Sequence, residues 1–447
     1  MGVVTAFTNR LQHGSWSREI EGIILLFCVP FLLFPTVSFL ATFLALLLII
    51  FIWLAPLFLK KWALPPATPF DAPLLLFGLM LIVAVLVTAD PDLTLPKITG
   101  LILGLAVWRF FNRAGQTEWL VYGATAVYIL LGFGFIFLGI LSANWLYKIP
   151  AISQILAVLP TGLIALPGNA GGVHPNQLAG TLLFLFPFFL ALLLGWIFLH
   201  RGKGGLVLWA ALFLVTALLL LLTQSRTGWL AGLGSVFVVT VLWGLLLPRA
   251  HWLRPFVWGA VILMLLAGIA GIITIGPERL QSIWDDPGQQ TAVGNLGSLG
   301  FRQEVWRWGV TAVQDFPFTG TGLGTYRRVV RRFYPINVAP DYDISHAHNL
   351  YLQTALDVGL PGLIIYLALI FLAVVMAWQT AKWSERLRPF AVGFLAVLAA
   401  FHIFGLTDAL ALGSKTTLVF WVMLGILSAM HRLAQKSTTP RNEHTVE

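Results

Sequence analysis

Long apolar runs, separated by short polar segments, fill the chain from about residue 20 to residue 434. A helix that crosses the hydrocarbon core of a bilayer needs about 20 apolar residues, and these runs are of that length. The first run is about 40 residues long, so it must hold two spans, with Pro30 and Pro35 kinking the first and turning it into the second. We therefore predict about twelve membrane-spanning helices. They cover residues 20–36, 37–59, 70–88, 97–112, 117–141, 175–199, 205–222, 227–247, 254–276, 350–379, 388–406 and 416–434.

The composition supports the same class of protein. Hydrophobic residues make up 58% of the chain and charged residues 10%, whereas a soluble globular protein carries about 25% charged residues. The net charge of +9 is spread over many loops, so nucleic-acid binding is not predicted. The only cysteine, Cys28, cannot form an intrachain disulfide. The pattern and the composition together predict an all-α polytopic membrane protein.

The distribution of positive charge predicts the orientation. If the N-terminus is cytoplasmic, the inner segments carry sixteen lysines and arginines, with at least two in each segment. The short outer loops carry only Lys97, Lys148, Arg226 and Lys415. Both termini are therefore predicted to be cytoplasmic. Residues 1–276 would hold spans one to nine, residues 277–349 an extracytoplasmic loop, and residues 350–447 the last three spans and a cytoplasmic tail.

Two outer segments are long. The segment 142–174 is predicted to be re-entrant or to lie on the membrane surface. The segment 277–349 contains seven arginines, seven acids and no lysine, and its balanced charge and its aromatics favour a folded helical cap. Residues 301–314 are predicted to form an amphipathic helix whose apolar stripe is Trp306, Val310 and Val313.

Arginine is the residue type that points to chemistry here. Its planar guanidinium group binds phosphate through two parallel hydrogen bonds, which the ammonium group of lysine cannot form. Arg226 ends the seventh predicted span, where an ionisable group is expensive and is by default a functional candidate, although it could also reach lipid headgroups or pair with Asp408. Arg302, Arg307 and Arg328 in the cap are candidate phosphate ligands.

A glycine-rich turn precedes Arg328. It resembles a nucleotide-binding loop only superficially, because no strand precedes it and no Lys-Ser/Thr pair follows. We interpret it as a tight turn that presents Tyr326, which becomes a candidate substrate contact. The arginines after it could instead bind anionic lipid or pair with Asp341 and Asp343.

Two histidines stand at the start of the tenth predicted span. His346 and His348 are two residues apart beside the arginine-rich cap, and neighbouring cations favour the neutral imidazole that can accept a proton. A general base is the favoured role, with a structural role and a hydrogen-bond donor to ligand as alternatives. No third metal ligand stands out in the sequence, so no metal is predicted. His174 is a weaker candidate, and His402 is interpreted as a core residue.

These residues lie in motifs of a known family. SRTGWL at 225–230, FRQEVW at 301–306, DFPFTGTG at 315–322, HNLYLQ at 348–353 and GLPG at 359–362 occur in that order. Together they resemble the O-antigen ligase and O-antigen polymerase superfamily over about residues 170–380.

The resemblance implies a metal-independent, inverting membrane glycosyltransferase of the GT-C type without a cofactor. Its donor would be a glycan on a polyprenyl diphosphate in the outer leaflet of a bacterial inner membrane. Its acceptor would be a hydroxyl on a glycan, a lipid or a protein. Arg226 and Arg302 would hold the diphosphate and His348 would activate the acceptor, with His346 able to share that role because the motif here reads His-Ala-His-Asn.

Several functions share these motifs. Ligase-type transfer to a non-identical acceptor is slightly favoured over O-antigen or exopolysaccharide polymerisation and protein O-oligosaccharide transfer. A transporter for a small anion such as bicarbonate is a rival from another class, but the spans lack an inverted repeat and charged residues at mid-membrane. A scaffold for a polysaccharide export complex is a third reading.

Overall fold

The computed structural model describes residues 16–59, 62, 64–145, 149–158, 161–165, 172–199, 202–285, 290–291, 294–295, 297–336 and 343–438. Within these ranges the chain is helical, apart from one two-stranded hairpin in the cap. In chain order the elements are α1 (Trp16–Leu33), α2 (Phe39–Phe58), α3 (Asp71–Leu86), α4 (Pro91–Ala114), α5 (Glu118–Leu141), α6 (Pro150–Leu156), α7 (Pro175–Leu182), α8 (Phe186–Phe198), α9 (Lys203–Leu222), α10 (Arg226–Leu246), α11 (Arg254–Ile275), α12 (Pro277–Asp285), β1 (Gln290–Thr291), β2 (Gly294–Asn295), α13 (Gly297–Asp315), α14 (Tyr326–Phe333), α15 (Leu350–Trp383), α16 (Arg388–Phe404) and α17 (Leu418–Thr438).

The predicted fold class is confirmed. Nine helical segments of the described chain are long and apolar enough to cross a membrane, and α7 and α8 together form one of them. The other three predicted spans correspond to α1, α3 and α16, of which α3 and α16 are shorter and α1 carries Arg18, Glu19 and Glu21 near its start. A total of twelve spans therefore stays a prediction.

The helices differ strongly in how much of their surface other helices cover. In the most apolar part of each segment, 83% of the residues are buried in the segment that ends in α17 and 78% in the α7–α8 segment. In α9 and in α11 the share of buried residues is 11%. Aromatic rings fill the interior, with Phe188 stacked on Phe394 and both rings in contact with Tyr128. The structure therefore has a central core around α8, α16 and α17, and a rim of helices whose apolar surfaces would face lipid.

A buried ionic cluster joins α1 to α4. The Glu21 carboxylate lies 2.6 Å from Nη1 of Arg113 and 3.5 Å from Nε of Arg109. Ser17 bonds the other side of Arg113. Glu21 is 1% exposed, and the two arginines compensate its buried negative charge. Removing one partner of the cluster would leave an uncompensated charge in the interior.

The cap, residues 277–349, has a small core of its own. Val305, Ala312, Tyr326 and Val330 are buried together between α13 and α14. The predicted helix over 301–314 is present, but its predicted apolar stripe is wrong, because Val310 is 50% exposed. The buried positions lie one residue earlier than predicted, since the helix packs through its smaller side chains against Tyr326 and Leu352.

The glycine-rich turn of the cap docks against a break in α15. Gly359 has a φ of 74°, which interrupts the helix and lets the Leu360 amide donate to the carbonyl of Pro317 over 2.7 Å. The Thr321 amide donates to the carbonyl of Leu356 over 2.6 Å. Gly320, with a φ of 66°, has no space for a side chain there. The two glycine-containing motifs are thus the two halves of one joint between the cap and the bundle.

Candidate active site

Arg226 is the first residue of α10. The preceding Ser225 caps the helix by accepting a hydrogen bond from the Gly228 amide over 3.2 Å. Gln224 has a φ of 50°, rare for a residue with a side chain, and its Oε1 accepts from the Ile149 amide over 2.7 Å. This link also ties the start of α6 to the start of α10, so Ile149 lies next to the position of Arg226.

The cap helix α13 brings a second arginine to the same place. Nη2 of Arg226 and Nη1 of Arg302 each lie 3.4 Å from the hydroxyl of Ser298, which is one turn before Arg302 on α13. Two guanidinium groups therefore meet around one neutral hydroxyl. Like charges this close repel each other, so an anion between them would be stabilising.

The histidine segment approaches from the start of α15. Asn349 caps that helix, and its Nδ2 donates to the carbonyl of Leu406 over 2.9 Å. His348 has a φ of 49°, and the indole N–H of Trp306 donates to its carbonyl over 3.2 Å. The imidazole centroids of His346 and His348 lie 4.1 Å apart. The turn therefore places the two rings in contact, tilted by 49° to each other, and the ring of His348 also contacts Phe301 of the cap helix.

Asp408 connects the arginines to the histidines. Its carboxylate oxygens lie 3.5 Å from Nη2 of Arg302, 3.4 Å from Nδ1 of His348 and 3.8 Å from Nε2 of His346. Nδ2 of Asn176, near the start of α7, donates to the same carboxylate over 2.9 Å. The side chain of Asp408 is 6% exposed, so these contacts take place away from bulk solvent.

Burial sets the protonation of this cluster. Burial, with a smaller contribution from the neighbouring His348, lowers the pKa of His346 to about 3, so the His346 ring is neutral near pH 7. Burial alone would raise the pKa of Asp408, but the neighbouring imidazole of His348 and the charge of Arg302 more than offset it and hold this pKa well below its usual range. The cluster at neutral pH thus holds a carboxylate beside a neutral imidazole.

Three polar atoms of the cluster are buried without a hydrogen-bond partner among the described residues. They are Nδ1 and Nε2 of His348 and Nε of Arg302. The carboxylate of Asp408 is near Nδ1, but the pair is not aligned as a hydrogen bond. Buried polar groups in native proteins nearly always have hydrogen-bond partners. Three unpartnered polar atoms in one cluster therefore indicate a place where a ligand binds.

The comparison with known families agrees with the predicted resemblance. Residues 210–367 match the family model for O-antigen ligase. Over this region the chain is similar to the O-antigen ligase superfamily. No curated protein matches the chain. Members of this family are glycosyltransferase-like enzymes, and the match supports a membrane protein of the O-antigen ligase and polymerase type.

The family region holds Arg226, Arg302 and His348 but not the two residues that join them. Asn176 lies before the O-antigen ligase match and Asp408 after it. From the sequence, Asp408 was predicted only as a possible partner for Arg226, and Asn176 was not a candidate. The only sequence signal for either is a polar side chain at the end of an apolar run.

Asp408 also changes the argument about metals. The ligand atoms of His346, His348 and Asp408 all lie within 4.8 Å of one another, so the third potential ligand that sequence analysis did not find is present. Two imidazoles and a carboxylate can bind a divalent cation. Against this, the guanidinium of Arg302 already neutralises Asp408 at 3.5 Å and would repel a second positive charge there.

The remaining predicted site residues take other partners. The guanidinium of Arg307 lies 5.2 Å from the ring centroid of Trp308, and Nε of Arg328 bonds Asp90 over 2.9 Å. The hydroxyl of Tyr326 points inward and donates to the carbonyl of Val305 over 2.8 Å. The turn therefore places Tyr326 inside the cap and does not present it to a substrate. One predicted pairing within the cap is present, between Arg327 and Asp343, while Asp341 lies outside the described residues.

The two other histidines have structural contacts. Nδ1 of His174 accepts from the Asn176 amide over 3.1 Å and thereby caps α7. His402 uses both ring nitrogens, 2.9 Å from the hydroxyl of Tyr366 and 2.7 Å from the carbonyl of Leu398, as expected for a satisfied core residue. His174 is connected to the cluster through Asn176.

Proposed function

We propose that this protein transfers a glycan from a polyprenyl diphosphate to an acceptor hydroxyl, at the extracytoplasmic face of a bacterial inner membrane. The family supplies the class of enzyme, with a lipid-linked glycan and an acceptor as its general partners. The donor, the direction of transfer and the side of the membrane are part of the proposal. Ligase-type transfer to a non-identical acceptor is the reaction we favour.

One observation carries the proposal. Arg226 and Arg302 meet at Ser298, and Arg302 is linked through Asp408 to His348, so the two arginines and the histidine belong to one cluster. A reaction that releases a diphosphate next to a hydroxyl that loses a proton needs this pairing of cations and base. No single helix supplies it, because the three residues come from α10, α13 and the turn before α15.

The arginines would act on the leaving group. Negative charge grows on the diphosphate as the glycosidic bond breaks, and preorganised guanidinium groups at low dielectric stabilise that charge. The unpartnered Nε of Arg302 gives this side chain a further donor for a phosphate oxygen. A fork that binds two oxygens at once also fixes the orientation of the diphosphate.

His348 would act on the acceptor. Its Nε2 has no partner among the described residues, and its Nδ1 faces the carboxylate of Asp408, which would stabilise the imidazolium formed when Nε2 takes the hydroxyl proton. General base catalysis of this kind contributes about 10²–10⁴-fold. One direct displacement at the anomeric carbon gives inversion. His346, already neutral and in contact with the ring of His348, could take over part of this role.

We propose that no metal takes part, because the guanidinium of Arg302 lies 3.5 Å from Oδ2 of Asp408, and its positive charge would oppose a cation at Oδ1, the oxygen that the two histidines face. Chelators then leave the rate unchanged, and a rate that falls with chelator and returns with a divalent cation would reassign the two histidines as ligands.

The test is transfer by the purified protein in lipid nanodiscs. Wild-type protein with a lipid-diphosphate glycan and a hydroxyl acceptor should form the glycosylated product and free lipid diphosphate in equal amounts. The variant His348→Ala should lower the rate by about 10²-fold or more. His251→Ala is the matched control, since His251 bonds the carbonyl of Phe198 in a loop between other helices. A fully active His348→Ala variant would contradict the proposal.

A further inference from the structure

His348 sits in a backbone conformation that needs external support. Its φ of 49° is in the left-handed region, which costs free energy for a residue with a branched ring side chain. Such a conformation persists only where surrounding contacts enforce it. Trp306 holds the carbonyl of His348, and Nδ1 of His346 accepts from the His348 amide over 3.2 Å, so the question is what holds Ala347 between the two histidines.

The answer is a buried glutamine one turn into α15. The amide of Ala347 donates to Oε1 of Gln353 over 2.8 Å, and Nε2 of Gln353 donates to Oδ1 of Asp357 over 2.8 Å. Gln353 is 2% exposed and Asp357 is 5% exposed, so water does not compete for either bond. Both ends of the Gln353 amide are therefore used inside the protein.

Asp357 fixes which way this amide points. Its Oδ1 also accepts from the Gly324 amide over 2.8 Å, and a backbone N–H can only donate, so Oδ1 is an acceptor. Gln353 must then turn its N–H group toward Asp357 and its oxygen toward Ala347. A path of three hydrogen bonds thus runs from the glycine-rich turn of the cap, through α15, to the backbone between the two histidines.

We propose that Gln353, oriented by Asp357, is the positioning residue that holds the backbone of residues 346–349 and so aims the His348 ring at Asp408 and the arginines. Gln353 touches no reacting atom and acts through Ala347. The expected loss of kcat rests on the proposed function. The expected loosening of the backbone of residues 346–349 does not.

The kinetic test uses the shape-matched variant Gln353→Leu, which removes both side-chain hydrogen bonds. Because the arginines are left intact, the affinity for polyprenyl diphosphate should stay within about twofold of wild type. Because a base misplaced by about 1 Å costs on the order of 10²-fold, kcat should fall by about 10–100-fold. The matched control is Gln379→Leu on the same helix, whose side chain bonds His431 at the other end of α15, and it should leave kcat unchanged.

A rescue separates positioning from general damage. Gln353→Glu keeps the acceptor for Ala347 but sets a second carboxylate against Asp357, so it should also be slow. Adding Asp357→Asn removes the repulsion and supplies an amide N–H, so the double variant should regain at least about tenfold in kcat over Gln353→Glu. A double variant as slow as Gln353→Glu, or a parallel loss of kcat and of diphosphate affinity in Gln353→Leu, would overturn the inference.

Hydrogen exchange tests the same inference without any activity. In Gln353→Leu the amides of residues 346–349 should exchange faster than in wild type, while the amides around Arg226 and Arg302 should not. Suppose that the amides of residues 346–349 exchange faster in Gln353→Leu but that His348→Ala is fully active. The proposed function would then be wrong, whereas the positioning role of Gln353 would still hold. Unchanged exchange in this segment would sink the positioning role, whatever the outcome for the function.

Discussion

Two ionic clusters of this protein each contain two arginines and one buried carboxylate, yet they are arranged in opposite ways. In the first, Glu21 lies between Arg109 and Arg113 and contacts both. In the second, Asp408 contacts Arg302, and the two arginines meet instead at the neutral Ser298 hydroxyl. In the first arrangement the carboxylate contacts both arginines. In the second it contacts only Arg302 of the two, so this carboxylate does not neutralise the positive charge of Arg226, which would attract an incoming anion. The comparison predicts that damage to one cluster reduces stability and damage to the other reduces activity.

The largest expected effect is on the rate of transfer. Arg302→Lys should lower kcat by about 10²–10³-fold, because a point charge does not replace a fork that stabilises developing charge. The melting temperature should stay close to that of wild type. Arg386→Lys, at an exposed pair with Glu118, is the control and should transfer normally. If Arg302→Lys transferred glycan at the wild-type rate, the cluster around Asp408 would not differ from the Glu21 cluster in serving the reaction.

The converse substitution is Glu21→Gln. It leaves two arginines buried without their anion, so the free energy of unfolding should fall by about 3–5 kcal/mol. Transfer per folded molecule should be unchanged. Thermal unfolding in detergent and a rate normalised to folded protein measure the two quantities. A loss of rate without a loss of stability would show that this cluster also serves the reaction.

Asp408→Asn should have an intermediate effect. The amide keeps an oxygen for Asn176 but loses the charge that holds Arg302 and stabilises a protonated His348. We expect kcat to fall by about 10–100-fold, with a small change in melting temperature. If the melting temperature fell instead and kcat held, Asp408 would belong with Glu21 as a structural anion.

The smallest expected effect is a dependence of stability on pH. In the unfolded chain His346 binds a proton near pH 6.5, but in the folded protein its pKa is about 3. Its depressed pKa means that stability is fully present above about pH 6.5 and is lost as pH falls toward 3. His346→Gln should therefore show a flatter melting temperature between these values than wild type. The same slope in both proteins would place the acid sensitivity elsewhere.

The fold was predictable because its signal is local. An apolar run of about 20 residues predicts a spanning helix from its own composition, and each predicted span corresponds to helix in the structure. The stripe of α13 was missed because its neighbour is Tyr326, a residue whose inward direction only the tertiary structure reveals. Periodicity finds a helix more reliably than it finds the face that is buried.

The site was predictable only in part, for a related reason. Arg226, Arg302 and His348 stand out by residue type and by motif, and the structure brings them into one cluster. Asp408 and Asn176 are 232 positions apart in the chain, and their contact depends on how α7 packs beside the turn after α16. Arg328 looked as suitable as Arg302, but Asp90 lies within reach of it. Residue type gives candidates, and long-range packing selects among them.

The shielding of His348 has a consequence for side reactions. Phe301 and His346 cover its ring, and neither ring nitrogen is exposed to solvent. The His348 side chain is 15% exposed, so solvent reaches a small part of the ring and neither of its nitrogens. In the proposed reaction this shielding would slow the activation of water by His348, and with it the hydrolysis of a donor bound at the arginines.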